Sequence, residues 1–218
     1  EYLQYCNYFE AISYASADGN RTGMYQAEFA RRQSQTSYGS LDGYLQSLGM
    51  EGRVQPFSSD NFARVAQLTQ RSNQFNLRTV RYTQEEIARI AKSSQYLTLA
   101  FSLKDKYGDY GLVAVAILEK KSVTEVFIDT WLMSCRVFKR GMEEFVMNCM
   151  VRIVRQHGFL LINAQYLPTA KNVPVKDIYT KMGFTEIQEN WYCLKTNDYQ
   201  QQKNFIKEVR NDEEDRSF

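Results

Sequence analysis

The chain has 218 residues, with 27 lysines and arginines against 25 aspartates and glutamates. That length supports one good core, or a core with a smaller attached piece. A formal charge of +2 gives no whole-protein field that calls for nucleic acid as a partner. The longest apolar stretch, residues 111–118, is far too short to span a bilayer, so no membrane partner is expected.

Residues 1–50 read as polar and helical, with helices over 25–33 and 41–48. Gly49, Gly52 and Pro56 then break the chain. This predicts three parts: a helical linker or extension over 1–52, a main domain over 53–197, and a polar tail over 198–218. The tail is expected to begin as a helix and fade into solvent. The chain opens on Glu1 rather than methionine, as a piece of a longer protein would.

Within the main domain, apolar residues at helical spacing predict a helix over 60–71, and Thr83-Gln-Glu-Glu86 is a capping box opening a second helix to about Lys92. Alternation predicts strands over 96–103 and 111–119, joined by a turn as a hairpin, and a third strand over 123–134. Met142, Phe145, Val146, Cys149, Ile153 and Val154 form the apolar stripe of a long helix over 141–157. A buried strand over 159–165, a short helix over 175–182 stopped by Gly183, and a strand over 184–194 complete the series. The order predicts an α/β layer structure with a mixed sheet, the hairpin antiparallel and the strand–helix–strand crossover parallel.

Chemistry concentrates at one junction, Asp129-Thr-Trp-Leu-Met-Ser-Cys-Arg-Val-Phe-Lys-Arg-Gly141. A strand that turns tightly into a helix aims free backbone N–H groups at one point, which suits an anion or phosphate. Cys135 lies there beside Arg136, Lys139 and Arg140. A helix N-terminus and three cationic neighbours predict a nucleophilic thiol; the alternative is a small buried residue at a strand end. Asp129 is a carboxylate in an otherwise apolar strand. It is expected to act as a general base or to orient a hydroxyl, or else to form an ion pair with Arg136 or Arg78.

Asn73, Gln74, Asn76 and Thr79 crowd one loop, where they would suit a polyol or simply stabilise the turn. Phe75 and Trp131 read as core or pocket wall. Cys149 lies on the helix stripe and Cys193 ends a strand, so both read as packing residues. The scattered cysteines, Cys6 included, form no C-x-x-C pair and suit a reducing cytoplasm. With His157 the sole histidine, at the expected end of the long helix, neither a zinc site nor a histidine-based triad is predicted, and no metal is expected.

The element order resembles the GNAT acyltransferase superfamily. The resemblance is carried by the strand–basic turn–helix unit and the block Asn172…Tyr179…Gly183-Phe184. It implies a GNAT-like mixed sheet flanked by helices, with a helical N-terminal extension. In that family the turn reads Arg/Gln-x-x-Gly-x-Gly/Ala and cradles the pyrophosphate of acyl-CoA, while the later block lines the pantetheine arm. Arg136 and Gly141 match, but Lys139 stands where the first glycine belongs. Lysine there suits a single phosphate held as a point charge, or a site that has lost its ligand. Lys171 and Asn172 would contact the arm or its phosphate, or cap the short helix together with Pro174.

Further blocks are more specific. Leu68-Thr-Gln-Arg-Ser-Asn-Gln-Phe-Asn-Leu-Arg-Thr79, Asp129-Thr-Trp-Leu-Met-Ser-Cys-Arg-Val137 and Pro168-Thr-Ala-Lys-Asn172 resemble the C-terminal part of FkbH-like proteins. These pair a HAD-type phosphatase domain with a GNAT-like domain. Residues 1–50, with Arg21-Thr-Gly-Met-Tyr25 and Arg31-Arg32, look like the segment joining the two. The Asp-x-Asp-x-Thr/Val phosphatase motif occurs nowhere in the chain.

The resemblance implies loading of a glyceryl group onto the phosphopantetheine thiol of an acyl carrier protein, toward methoxymalonyl-type extender units. The partners would be that carrier and a HAD-type phosphatase. Two alternatives stay open: a non-catalytic module that docks the carrier, and a CoA-dependent N-acetyltransferase.

Overall fold

The computed structural model describes residues 38–210. Cys6, the segment resembling a phosphatase linker and the helix expected over 25–33 lie outside the described residues, as does the end of the tail. The chain divides into two compact units, Glu1–Ser47 and Leu48–Phe218. In the first, helix α1 (Leu41–Ser47) starts where the Gly43 N–H donates to Ser40 Oγ at 3.1 Å. Toward its end Ser47 Oγ donates to the Tyr44 carbonyl at 2.7 Å.

The second unit is built on one sheet. Its strands are β1 (Glu51–Gln55), β2 (Phe75–Asn76), β3 (Tyr96–Asp105), β4 (Gly108–Lys120), β5 (Glu125–Met133), β6 (Leu161–Gln165), β7 (Thr185–Gln188), β8 (Trp191–Lys195) and β9 (Lys207–Glu208). Four helices join them: α2 (Phe62–Arg71), α3 (Gln84–Lys92), α4 (Met142–Gln156) and the short α5 (Ile178–Lys181). The sheet order is β7-β8-β6-β5-β4-β3-β1-β9, with β2 pairing β5 off this path. Among the described strands only the pairs β5–β6 and β1–β9 are parallel, so the sheet is mixed as predicted.

The two faces follow from alternation along β3. Ala100 joins Val115, Ile117 and Leu132 under Phe57 of the loop after β1 and under Val65, Ala66, Leu68 and Ile87, the apolar stripes of α2 and α3. Phe101 points the other way and meets Phe145 of α4 edge-on, ring centroids 6.3 Å apart. The capping box is formed as read: Thr83 Oγ1 accepts the Glu86 N–H at 3.2 Å, and Glu86 accepts the Thr83 N–H at 2.8 Å. His157 closes α4, its Nδ1 2.9 Å from the Ile153 carbonyl oxygen, so the proton of that bond sits on Nδ1.

The structure departs from the sequence reading in four places. The stretch 184–194 is a hairpin, β7 and β8, because Asn190 adopts φ 62 and turns the chain. The helix expected over 175–182 is divided into a 3-10 turn, Val173–Val175, and α5. Strand β1 spans the expected 52/53 boundary, with only Gly52 and Val54 facing inward.

The tail, fourth, forms no helix over 199–210. Asn148 Oδ1 accepts both the Tyr199 hydroxyl at 2.7 Å and the Gln202 N–H at 2.9 Å. These bonds hold the segment extended, and β9 then pairs with Glu51 and Gly52.

Gly52 is where β1, α4 and the tail meet. A Cβ there would come within 2.7 Å of the Phe145 ring and of Ile206 Cγ2. Gly52→Ala is therefore expected to lower stability by about 1–3 kcal/mol, read as a shift in denaturant midpoint at unchanged slope.

Candidate active site

The site starts at a break in β5. This strand pairs with β4 along its length, but the register skips a residue: Ile117 faces Thr130 while Leu118 faces Ile128. Asp129 is the extra residue, a β-bulge that puts Ile128 and Thr130 on opposite faces. The parallel pairing with β6 ends at the same point, its last pair being Ile128 and Ala164. A wedge thus opens on the β6 side of β5 from Asp129 onward.

The chain lays its own residues along that edge. Phe75 pairs with Met133 and Asn76 with Leu132. The Leu77 N–H donates to the Trp131 carbonyl at 3.3 Å, and the Leu77 carbonyl accepts the Leu167 N–H at 2.8 Å. Asn172 ties the segment down. Its amide donates to the Asn76 carbonyl at 2.9 Å and to the Leu167 carbonyl at 3.0 Å. Its Oδ1 accepts the Thr169 N–H at 2.7 Å and the Tyr166 hydroxyl at 3.0 Å. Asn172 is therefore a fully buried clasp, placed at the start of the short 3-10 turn without capping it by its side chain.

Asp129 is heavily engaged. Arg78 Nη1 donates to its Oδ1 at 2.9 Å and to its carbonyl at 3.0 Å, while Tyr82 and Thr130 donate hydroxyls to Oδ2 at 2.5 and 2.9 Å. Of the two expected ion-pair partners the structure selects Arg78, with side chains only 20% and 15% exposed. Burial, then the bond to Asp129, raise the Tyr82 phenol above its ordinary range. A carboxylate holding three side-chain donors has little capacity left to act as a base, so its geometry suits positioning Arg78.

Trp131 meets Phe75 edge-on at 5.3 Å and lies 6.0 Å from the Tyr179 ring. Phe75 and Trp131 are thus buried in the core. Among the described residues three buried side-chain atoms have no hydrogen-bond partner: Arg78 Nε, Trp131 Nε1 and Tyr179 Oη.

The amide crowd is mostly spent on the loop. Asn76 Oδ1 accepts the Thr79 N–H at 2.8 Å and its Nδ2 donates to the Ser72 carbonyl at 3.3 Å, which supports Thr79 at φ 56. Asn73 accepts from Arg81 at 2.9 Å; Gln74 is exposed.

The basic turn sits at the far end of β5. Cys135 is exposed and opens a 3-10 turn, Cys135–Val137; α4 starts only at Met142. The sequence placed this thiol at the helix N-terminus, and the extra turn moves it away. Asp129 and Met133 alone are separated by about 13 Å of strand, so Cys135 and Asp129 do not share a reaction centre.

Arg140 is drawn from the turn into the β3–β4 hairpin, pairing with the buried Asp105 at 3.5 Å and lying over the Tyr110 ring at 4.9 Å. Arg136, Lys139 and Lys171 remain on the surface. Lys139 adopts φ 61 and Gly141 φ 78, so the lysine keeps the left-handed backbone that a glycine would take. Glu143, in the first turn of α4, folds onto backbone N–H groups of the same turn; burial outweighs those bonds and raises its pKa. The other described cysteines are removed from chemistry: burial pushes the Cys149 thiol up to about 12 and also raises that of Cys193.

Sequence reasoning treated Arg78 only as a partner for Asp129 and passed over Tyr82. The signal for Arg78 was its place in the Asn73–Thr79 cluster; Tyr82, one residue before a capping box, carries none. Among the described residues no group of His, Cys, Asp and Glu is arranged to hold a metal ion, and no helix is long and apolar enough to cross a membrane.

No protein-family model matches this chain, and no curated protein matches it. Solved structures do. The ribosomal-protein-S18-alanine N-acetyltransferase of Escherichia coli is 13% identical, with 66% of this chain and 94% of that one covered at a TM-score of 0.51. The spermidine N-acetyltransferase of Vibrio cholerae, solved with CoA and spermine, is 9% identical over 68% and 98% at 0.52. Ard1 of Thermoplasma volcanium is 19% identical over 65% and 94% at 0.50. At such identities the likeness shows the fold.

Two outcomes follow from the turn. Lys139→Gly relieves a left-handed side-chain residue and is expected to gain about 0.5–1 kcal/mol in chemical unfolding. The raised Glu143 pKa means the folded state binds its proton more tightly. That contribution is present below the ordinary value of 4.5 and is lost as pH rises through the folded pKa. Glu143→Gln should therefore flatten the fall in melting temperature between pH 4.5 and neutrality.

Proposed function

From the premise of a GNAT acyltransferase fold, we propose that this domain transfers an acyl group, glyceryl, to the phosphopantetheine thiol of an acyl carrier protein. The observation that carries the reading is the parting of β5 from β6 at the Asp129 bulge, with a basic left-handed turn following the end of β5. Specificity for the glyceryl group and for the carrier is supported by the FkbH-like sequence blocks. The phosphate would be removed by a partner HAD-type phosphatase, and the free thiols of Cys135, Cys149 and Cys193 suit a reducing cytoplasm.

In this reading the carrier's phosphate lies at Arg136, Lys139 and Gly141, near Lys171. Cys135 takes the acyl group by thioester exchange: its sulfur bonds to the carbonyl carbon, the donor thiolate leaves, and the incoming pantetheine thiol reverses the step. Exchange between thioesters is nearly isoenergetic, so the transfer requires no further co-reactant. A CoA-dependent N-acetyltransferase shares this fold and is separated by the same test.

One observation favours a second reading, a non-catalytic carrier-docking module: the segment Phe75–Leu77 lies along the β5 edge that a pantetheine arm would use.

Intact mass after incubation with a glyceryl thioester is the test. A hydroxylamine-labile glyceryl adduct on the wild type and none on Cys135→Ala is expected. Carrier binding with no adduct and no carrier loading would favour the docking module, and tight acetyl-CoA binding with amine acetylation would favour the N-acetyltransferase.

A further inference from the structure

Phe145, Cys149, Arg152 and Arg155 stand about one turn apart along α4 and so share one face of that helix. The segment after β8 bends around this face. Beside the last turn of α4, Arg155 Nε donates to the Thr196 carbonyl at 2.9 Å and Nη2 to the Tyr199 carbonyl at 3.3 Å. Asn148 then holds Gln202 at mid-helix, and Asn204 reaches the helix start, its Cβ 3.3 Å from where a Cβ on Gly141 would lie. From there the chain returns, and Arg152 Nη2 donates to Glu208 Oε1 at 2.6 Å. The segment thus runs along α4 and back again.

A cavity of about 600 Å³ is left between helix and returning segment. That is the size of a small-molecule site. Its lining comes from residues 145–156 and 199–210 alone, so it shares nothing with β5, the Asn73–Thr79 loop or the basic turn. The floor is apolar, with Phe145, Cys149 and Ile206 buried.

The charges of the lining are unequal. Three arginines, Arg152, Arg155 and Arg210, face one carboxylate, Glu208, which leaves a formal charge of +2. Both oxygens of Glu208 are used, Oε1 by Arg152 and Oε2 by Arg210 at 2.7 Å. Burial and then the Glu208 charge raise the Cys149 thiol, while Arg152 and Arg210 act against them, so these three charges stand over one floor. Arg155 has no carboxylate partner among the described residues. It spends Nε and Nη2 on carbonyls and keeps the Nη1 donors for another acceptor. A guanidinium with donors to spare, beside an apolar floor and in a lining of surplus positive charge, is complementary to an oxyanion on an apolar body.

We propose that the cavity between α4 and residues 199–210 binds a small organic anion, with its carboxylate or phosphate at Arg155 and its apolar body toward Cys149 and Ile206. The assignment is independent of the acyl-transfer reading and stands whether or not Cys135 is acylated. A ligand there bridges the helix and the returning segment, so its binding raises the melting temperature as well.

The probes are phenyl phosphate and benzoate, titrated by calorimetry into the full chain at constant ionic strength, with benzyl alcohol as the neutral control. Saturable binding of at least one anion is expected, with the alcohol about tenfold weaker or not bound; the tighter of the two tells phosphate from carboxylate recognition. Arg155→Gln should weaken the anion about tenfold. Because Arg155 also fastens the segment, Gln156→Glu is the second variant. It puts a negative charge on an exposed lining residue and should weaken the anion several-fold with the melting temperature little changed. No saturable binding of either anion, or equal binding in the folded Gln156→Glu chain, overturns the site. Binding lost in Lys139→Gln but kept in Gln156→Glu places the anion at the basic turn and overturns it too.

Discussion

The bond between Asp129 and Arg78 is the constraint on which the site depends. A bulge supplies the carboxylate at the point where β5 and β6 part, and the loop after β2 supplies the cation. Without the bulge, residue 129 would continue the pleat and the wedge would have no polar floor. Without the carboxylate, a guanidinium only 20% exposed would lack its counter-charge. Removing one partner of such a pair costs more than the pair contributes, because the other remains desolvated. The pair is thus better understood as fixing geometry than as a store of stability.

The same logic runs through the loop that crosses the wedge. Asn172 binds two carbonyls and two donors from two segments, so residues separated by nearly a hundred positions share one side chain. A matched block in the sequence that suggested ligand contact is in the structure a fastening of chain to chain. Lys139 shows the complementary case: the residue differs from the expected glycine, yet the backbone conformation is retained.

Much of the fold was legible because it is written in periodicity. The capping box, the β3–β4 hairpin and the α4 stripe are strong local patterns, and all three formed. Strands β1, β2 and β9 were not legible, because two of them are two-residue pairings created by neighbours and the third buries only two positions. Of the site, Asp129 stood out as a charge in an apolar run. The separation of Cys135 from the α4 N-terminus was hidden, since a 3-10 turn and an α-helix start share the same residue preferences. Burial of donors is a property of three dimensions, so the partnerless atoms of Trp131 and Tyr179 had no trace in the one-dimensional pattern.

The pairing of β9 with β1 joins residue 208 to residue 52, the last described strand to the first. The loop closed by that contact spans nearly the whole unit, and its closure entropy must be met before the pairing is rewarded. During synthesis β1 therefore waits with that edge open until residues 207–208 have emerged. Through that interval Glu51 and Gly52 present an unpaired edge, and residues 207–209 serve as the late cover that ends its exposure.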